Sequence, residues 1–319
     1  MEHSKKMKIK NILVTGGAGF IGSNIVKCLR DSGHKIIVFD NFSRGKNKNI
    51  KNISFIKGDI RDREKVFKIL KKIDSVVHLA FINGTKNFYK YPTEVLDVGV
   101  KGMVNIVDGC IKNNIKELIL ASSSEVYQTP LKVPTNENEP LKIPDVYNPR
   151  YSYAAGKILT EIIGINFGKK FFKKLIIFRP HNVYGPNMGN DHVIPEIIKK
   201  ITKLKKNEKF IKIKSNGQEV RSFIHIDDFV DAFKLIFDKG KHLQIYNIGT
   251  QEKIKIFNLI KLIKSKLKRK FYIKKSKAFY GNTNIRCPDI KKIVQLGFKA
   301  KINLNQGLDM LIKNLKFNN

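Results

Sequence analysis

The sequence has few cysteines and lacks long apolar runs. Its three cysteines, Cys28, Cys110 and Cys287, are scattered along 319 residues without the spacing of a metal site or a disulfide framework. No apolar run approaches the ~18 residues that a membrane span requires, and no secretory signal is recognisable. We therefore expect no metal centre, no membrane span and a location in the reducing cytoplasm.

Arginine is also scarce, although the chain is strongly basic. The formal net charge is +35, yet only nine of the 62 basic residues are arginines. The lysines are spread along the whole chain, whereas proteins that read DNA sequence favour arginine at the bases. This composition argues against a specific nucleic-acid partner. Its positive field would still steer an anionic ligand toward a cleft.

A glycine-rich segment, Thr15–Gly22 (TGGAGFIG), follows the apolar run Asn11–Val14 and precedes a helix-like stretch. A dinucleotide-binding loop requires this order of strand, turn and helix. Gly16 and Gly19 permit a tight turn and the close approach of a pyrophosphate, and Gly22 permits close packing of helix and strand. The segment predicts a dinucleotide site, although a glycine pattern alone is weak support.

An acidic residue follows the second predicted strand at the position expected for a ribose contact. Asp40 ends the run that begins at Lys35 and lies 18 residues after Gly22. A carboxylate there can accept both adenosine-ribose hydroxyls and would repel a 2′-phosphate. This favours NAD over NADP, and Arg44 leaves some room for NADP.

Tyr153 and Lys157 are four residues apart and lie on one face of a predicted helix. A tyrosine with an unperturbed pKa near ~10 is a poor base at neutral pH, but a neighbouring ammonium lowers that pKa. The pair therefore predicts that Tyr153 is a general base. Alone it is weak support, because both residue types are common on helix surfaces.

Apolar segments alternate with helix-like stretches, which predicts a parallel sheet with helices on both faces. We predict an α/β fold, a doubly wound parallel (Rossmann) sheet with a smaller C-terminal substrate lobe. Residues 7–180 would form the NAD-binding domain, and residues 181–319 mainly the substrate-binding lobe, with segments packing back on the first domain. The predicted strands are Ile12–Thr15, Ile36–Phe39, Ser54–Ile56, Ser75–Leu79, Leu118–Ser122 and Leu175–Arg179.

Further segments give the chain a family resemblance. Together with the glycine turn and the Tyr153–Lys157 pair, they resemble the extended short-chain dehydrogenases/reductases of the nucleotide-sugar epimerase/dehydratase family. The resemblance runs from about residue 8 to the C-terminus, and it is far more specific than the glycine turn alone. The segments are Gly58–Asp62, His78–Ala80, Ser122–Tyr127, Arg179–Pro186, Arg221–Asp228, Tyr246–Gly249 and Arg286–Asp289.

The resemblance implies oxidation at C4 of a sugar. Tyr153 would remove the hydroxyl proton, Ser123 would share that proton, and Lys157 would also bind the nicotinamide ribose. Ser123 is chosen over its neighbours Ser122 and Ser124 because the family's Ser or Thr stands four residues before the tyrosine that is Tyr127 here.

The resemblance also implies which residues bind the ligands. Asn182, Arg221 and Arg286 would bind the diphosphate of a nucleotide-diphosphate sugar, since guanidinium groups suit phosphate oxygens. A homodimer would form through helices near Val95–Ile111 and Ser152–Phe167. The residues expected to bind NAD are Gly16, Gly19, Phe20, Ile21, Gly22, Asp40, Asn41, Asp59, Ile60, Leu79, Ala80, Tyr153 and Lys157.

Glu125 is the residue that separates activities within the family. A 4-epimerase needs no additional carboxylate, whereas a 4,6-dehydratase needs a base for the C5 proton. The order Ser123-Ser124-Glu125 resembles sugar dehydratases and also nucleotide-glucuronate decarboxylases. We therefore favour a 4,6-dehydratase slightly over an enzyme similar to UDP-glucose 4-epimerase, with a decarboxylase third. Glu125 would otherwise be a carboxylate that pairs with a lysine.

A non-catalytic protein on the same fold is the alternative from another class. It would be an NAD-binding regulator or an RNA-binding protein, and loss of Tyr153 or Lys157 would favour it. Both residues are present.

The chain departs from the family pattern at three positions. Gln128 stands where a glycine is usual, Phe81 where a small residue is usual, and Gly99 where an asparagine is common. These departures concern the hydrogen bonds around the cofactor and leave Ser123, Tyr153 and Lys157 in place.

Overall fold

The computed structural model describes residues 8–45, 50, 52–189, 192–205, 210–213, 217–275 and 283–317. Met7, with which the first predicted domain begins, lies outside these residues, as do the last two residues of the second. Every predicted site residue lies within them.

The strands are short, and those rich in isoleucine and valine are buried. Their bounds are β1 Asn11–Thr15, β2 Lys35–Asp40, β3 Ser54–Lys57, β4 Ser75–His78, β5 Glu117–Ala121, β6 Lys174–Pro180, β7 Val183–Tyr184, β8 Phe210–Ile213, β9 Val220–Ser222, β10 Ile224–His225, β11 Gln244–Ile248, β12 Lys253–Lys255, β13 Tyr272–Lys275 and β14 Ile285–Arg286.

Most helices lie between these strands along the chain, and the last two follow β14. Their bounds are α1 Phe20–Asp31, α2 Arg63–Ile69, α3 Thr85–Lys90, α4 Pro92–Leu96, α5 Gly102–Lys112, α6 Ser152–Phe171, α7 Val193–Thr202, α8 Ile226–Lys239, α9 Ile256–Lys266, α10 Lys291–Val294 and α11 Leu304–Phe317, with a π-helix at Asp97–Lys101 and 3₁₀ turns at Ser124–Tyr127 and Pro149–Tyr151.

Among the described residues, seven strands form one parallel sheet in the order β11-β6-β5-β4-β1-β2-β3. Successive residues of a strand face opposite sides of the sheet. Ile12 and Val14 of β1 accordingly belong to the apolar cluster under α1 and α8, while Leu13 belongs to the cluster under α2 and α5. The predicted doubly wound α/β fold is confirmed.

The six predicted strands are present, and none of their ends is shifted by more than one residue. The seventh, β11, was not predicted as a strand, and it extends the sheet by pairing with β6. Its sequence, QIYNI, mixes polar and apolar residues and lies far from its partner along the chain. The sheet therefore contains a segment from beyond residue 180.

The remaining chain forms smaller sheets and a third apolar cluster among α7, α9 and α11. One sheet has the order β12-β9-β14 and places Arg221 of β9 beside Arg286 of β14. In the part of the chain that the structure describes, no helix is both long and apolar enough to cross a membrane.

Candidate active site

The glycine turn connects β1 to α1 and lies against the end of β4. Gly16 has a φ of +70°, a conformation that favours glycine. A Cβ atom on Gly16 would lie 2.8 Å from the amide nitrogen of Ala80, and one on Gly22 would lie 2.8 Å from the Cα atom of Gly17. Gly19 is the N-cap of α1 and offers no side chain to the first amides of that helix, which leaves them available to a phosphate group.

Asp40 lies at the end of β2 and contacts the glycine turn directly. Its Oδ2 atom accepts a hydrogen bond from the amide of Ala18 at 3.0 Å, and its Oδ1 atom accepts one from Phe42 at 2.8 Å. A carboxylate oxygen has more than one acceptor direction, so both atoms can still accept a ribose hydroxyl. Arg44 donates to the carbonyl of Asn83, and its charge partly offsets the rise in the pKa of Tyr153 that burial causes.

Asp59 and Asn41 form the neighbouring part of this site. The Arg61 guanidinium donates hydrogen bonds to Asp59 and lowers the pKa of that carboxyl to about 2. The amide of Asn41 also donates to Asp59, at 3.3 Å. Ile60 is buried next to Gly102.

Leu79 and Ala80 connect this region to β1. Their amides donate to the hydroxyl of Thr15, each at 3.2 Å. The predicted cofactor residues of β1, β2 and the segment after β4 are thus held together at the carboxyl ends of the strands, where ligands of parallel sheets bind. A tight glycine turn, uncapped helix amides and a ribose-accepting carboxylate fit NAD.

Tyr153 lies in the first turn of α6, directly after the 3₁₀ turn Pro149–Tyr151. The side chain of Asn148 caps the preceding 3₁₀ turn at 3.0 Å, and Pro149 occupies its first position. The Tyr153 ring is buried between Phe81, in an edge-on contact at 5.1 Å, and Phe88, stacked at 4.8 Å. Burial raises the pKa of Tyr153 to about 12, although a hydrogen bond with Ser123 lowers it.

Lys157 lies one turn further along α6 and is also buried. Its Nζ atom donates to the carbonyl of Ala121 at 2.6 Å, lies 4.2 Å from the ring centroid of Phe81 and 6.0 Å from that of Tyr153. Burial lowers the pKa of Lys157 to about 7, and the nearby Glu161 opposes this. The predicted lowering of the Tyr153 pKa is therefore wrong for this structure, because burial of the phenol outweighs its favourable neighbours.

The three serines after β5 have different partners. Ser122 donates to Glu161 in the interior. The Ser123 hydroxyl accepts a hydrogen bond from the amide of Glu125 at 3.1 Å and is the partner of Tyr153. Ser124 is buried at the start of the 3₁₀ turn. Among these serines, the structure thus brings Ser123 to Tyr153.

Glu125 lies in a cluster of arginines. Its carboxylate pairs with Arg286 at 2.6 Å. Burial favours the neutral acid, but the charges of Arg286, Arg150 and Arg221 and the hydrogen bond from Arg286 together lower the pKa of Glu125. The predicted general base at C5 is thus ionised, and it is joined to a residue predicted to bind the diphosphate.

The other predicted diphosphate residues have backbone partners. Arg221 donates to the carbonyl of Val220 at 2.8 Å, and burial lowers its pKa to about 10, helped by Arg286. The side-chain amide of Asn182 donates to the carbonyl of Ser222 at 2.8 Å. The Nε atom of Arg286 is buried and has no hydrogen-bond partner among the described residues.

Sequence reasoning missed two arginines of this site. Arg150 lies near Glu125, and its Nε atom is buried without a hydrogen-bond partner among the described residues. Arg44 was considered only for its effect on NADP, but its charge acts on Tyr153. The scarcity of arginine was an available signal, because five of the nine lie in or directly behind this site: Arg44, Arg150, Arg179, Arg221 and Arg286.

Gln128, which replaces a usual glycine, has a φ of +49°. Its side-chain amide donates to the carbonyl of Glu125 at 2.6 Å. Most residues with a side chain disfavour this backbone conformation. A local hydrogen bond at the end of the 3₁₀ turn stabilises it here.

Comparisons with known proteins agree with this fold. The sequence model described as the NAD dependent epimerase/dehydratase family matches residues 12–249. The chain is 32% identical over 311 residues to a putative UDP-glucose 4-epimerase of Methanocaldococcus jannaschii, covering 97% of this chain and 99% of that protein.

Two further proteins extend this similarity. The chain is 32% identical over 279 residues to dTDP-D-glucose 4,6-dehydratase of Dictyostelium discoideum, covering 82% of this chain but only 63% of that longer protein. Among solved structures, UDP-glucose 4-epimerase of Thermotoga maritima, determined with UDP-glucose, superposes with a TM-score of 0.87 at 29% identity, covering 97% of this chain and 99% of that one. The chain belongs to the NAD-dependent epimerase/dehydratase family, and it is an enzyme whose cofactor is NAD.

Proposed function

We propose that this enzyme oxidises C4 of a nucleotide-diphosphate sugar to a ketone and that Glu125 then removes the C5 proton, as in a 4,6-dehydratase. The observation that carries the proposal is the state of Glu125. Its carboxylate is kept ionised by arginines, and its charge is close enough to raise the pKa of Tyr153.

Tyr153 and Ser123 supply the proton path for the oxidation. Ser123 lies beside the phenol of Tyr153. The step requires that the charged ammonium of Lys157 offset the burial that raises the pKa of Tyr153; as a phenolate, Tyr153 then accepts the C4 hydroxyl proton directly or through the serine. When bound, NAD supplies the hydride acceptor. The pKa of Lys157, lowered to about 7 by burial, leaves this group able to change charge near neutral pH.

Arg221 and Arg286 would bind the diphosphate, with Arg150 and Asn182 beside them. Arg221 and Arg286 are neighbours in the register of β9 and β14. With Arg150 they place three cations around the single carboxylate of Glu125, and a diphosphate would add further negative charge to this cluster. The buried Nε atoms of Arg150 and Arg286 still lack acceptors within the described residues, and phosphate oxygens would provide them.

Glu125 acts after the ketone has formed. The C4 carbonyl acidifies the C5 proton, and the ionised carboxylate can accept it. The same proton can return to the C6 hydroxyl, which leaves as water. Hydride addition at C6 and protonation at C5 then give a 4-keto-6-deoxy sugar and restore the cofactor.

A 4-epimerase is the second candidate, favoured by the near full-length similarity to a putative UDP-glucose 4-epimerase. In that reaction Glu125 would remain paired with Arg286 and take no proton. A nucleotide-glucuronate decarboxylase is the third candidate, because an arginine beside Glu125 could pair with a substrate carboxylate.

The deciding experiment is a panel of UDP-, dTDP-, GDP- and CDP-sugars, uronates included, followed by NMR in deuterated water. A dehydratase gives a 4-keto-6-deoxy product labelled at C5, and a decarboxylase releases CO₂. Glu125→Gln should abolish the dehydrated product while hydride still exchanges with NAD, because an amide cannot accept the proton. C4 inversion without C5 label, unaffected by Glu125→Gln, would reject the dehydratase proposal in favour of a 4-epimerase.

We also propose that the enzyme is a cytoplasmic homodimer. Apolar side chains on α4, α5 and α6 are exposed, namely Leu96, Val104, Leu159, Ile162 and Phe167. A second copy with the same surface would cover them. The three cysteines are free, which fits a reducing compartment.

A further inference from the structure

Two of the residues that depart from the family pattern, Phe81 and Gly99, contact each other. Gly99 lies in the π-helix Asp97–Lys101 and is buried. A Cβ atom on Gly99 would lie 2.5 Å from Cε2 of Phe81 and still closer to Cζ, and one on Gly156 of α6 would lie 2.9 Å from the same ring. Real Cβ atoms essentially never approach a neighbour within 3.0 Å. The Phe81 ring therefore occupies the space that a side chain at position 99 would need.

The same ring touches both proposed catalytic groups. Its edge-on contact with Tyr153 has an interplanar angle of 84°, and its face lies 4.2 Å from the Nζ atom of Lys157. Aromatic edge contacts and cation–π contacts are both favourable. Because Phe88 stacks on Tyr153 at 15°, the phenol is fixed by two rings, and one of these also contacts the ammonium.

The presence of the Phe81 ring in place of a side chain at position 99 also changes the polarity next to Lys157. An asparagine at position 99 would bring an amide with two donors and an acceptor. Phenylalanine from position 81 brings only an apolar ring. The ammonium of Lys157 has the carbonyl of Ala121 as a hydrogen-bond acceptor and lies over the face of the Phe81 ring.

We propose that Phe81 and Gly99 are a matched pair of positioning residues, in which the ring replaces a side chain at position 99 and sets the geometry and the polarity around Tyr153 and Lys157. The proposal rests on the function proposed above for those two residues. It predicts that the two positions are coupled, so that a change at one is tolerated only with a compensating change at the other.

A double-mutant cycle tests the coupling. Gly99→Asn alone should displace the ring, and Phe81→Ala alone should leave a gap; each should lower Tm and reduce kcat about tenfold or more while changing KM little. The double variant Phe81→Ala/Gly99→Asn should recover at least about tenfold in kcat over the product of the single effects, which is within the usual range for residues in contact. If Phe81→Ala does not fold, Phe81→Leu takes its place in the cycle, because leucine keeps most of the side-chain volume.

Gly109→Ala is a matched control on the neighbouring helix. A Cβ atom there would lie 2.5 Å from Cδ1 of Leu70, so packing is disturbed away from Tyr153 and Lys157. We expect a lower Tm with the pH dependence of kcat unchanged, whereas the single substitutions at positions 81 and 99 should shift that pH dependence by about half a unit or more.

A second readout does not require turnover. The absorbance titration of Tyr153, taken as the difference from Tyr153→Phe, should shift to lower pH in Phe81→Ala because the phenol becomes less buried. Absence of activity toward every sugar would defeat the proposed function, while the Tm cycle and this titration would still test the pair. Additive effects of the two substitutions, or recovery of Tm in the double variant without recovery of the titration, would overturn the proposal.

Discussion

At the scale of single residues, Lys157 is the clearest departure from expectation, because a lysine expected to act as a cation is buried. Burial removes water from the ammonium and lowers its pKa to about 7, although a carbonyl and an aromatic ring contact it. Charging a group in such surroundings opposes folding. The residue proposed to bind the cofactor ribose is therefore also one that destabilises the fold at neutral and acidic pH.

The stability of the protein should depend on pH through Lys157. Between pH 7 and 10.5 the unfolded chain holds this proton and the folded protein does not, so stability rises with pH in this window. The full penalty is present below pH 7. Relative to Lys157→Met, which cannot titrate, we expect the unfolding free energy to rise by on the order of 1 kcal/mol per pH unit.

Urea unfolding of both proteins at pH 6, 7, 8, 9 and 10 would measure this. Lys291→Met is a suitable control, because the Lys291 side chain is 86% exposed and its removal should leave the pH dependence unchanged. A constant difference between the parent protein and Lys157→Met at every pH would contradict the prediction.

At the scale of elements, α6 carries functional groups on three successive turns of one face. Tyr153, Lys157 and Glu161 are spaced by four residues, and Glu161 joins the helix to the sheet. Its carboxylate accepts two hydrogen bonds from Arg179 of β6, at 2.9 and 2.6 Å, and one from Ser122 after β5. This ion pair fixes the helix that holds Tyr153 and Lys157.

Glu161→Gln should destabilise the protein by about 3–5 kcal/mol, because it leaves the buried charge of Arg179 without its counter-ion. Both side chains of this pair are 3% exposed or less. The exposed pair Arg63–Asp108 offers a comparison, since Asp108→Asn should cost less than about 1 kcal/mol. Chemical denaturation of the two variants measures both changes in the free energy of unfolding. Equal changes would show that burial of the Glu161–Arg179 pair does not increase its contribution to stability.

At the scale of the whole molecule, the exposed apolar surface on α4, α5 and α6 is the proposed dimer interface. Ile162 lies within it and is 50% exposed. We expect Ile162→Glu to convert a dimer to a monomer, because a charge would be buried at the interface. Sedimentation velocity at several concentrations reads the result directly.

Val294 on α10 gives a matched control, since it is apolar and 48% exposed. Val294→Glu should leave the sedimentation unchanged. A parent protein that sediments as a monomer at every concentration would refute the dimer itself.

The fold was predictable from the sequence because its signals are local. The glycine turn, Asp40 after β2 and the strands β1 to β6 each depend on a few consecutive residues. The contacts of Phe81 with Gly99, of Lys157 with Ala121 and of Glu125 with Arg286 join positions 18 to 161 residues apart, and no short pattern announces them. The strand β11 was missed for the same reason, since it is defined by its pairing with β6.

The ion pair between Glu125 and Arg286 has a consequence for ligand affinity. If Arg286 binds the diphosphate as proposed, the carboxylate of Glu125 is an internal competitor for the same guanidinium. The diphosphate and this carboxylate share the positive charge of the guanidinium, so part of the attraction between ligand and arginine is already offset within the protein. Added salt would weaken both pairings together. Binding of nucleoside diphosphates should therefore respond less steeply to ionic strength than three neighbouring arginines and a net charge of +35 would suggest.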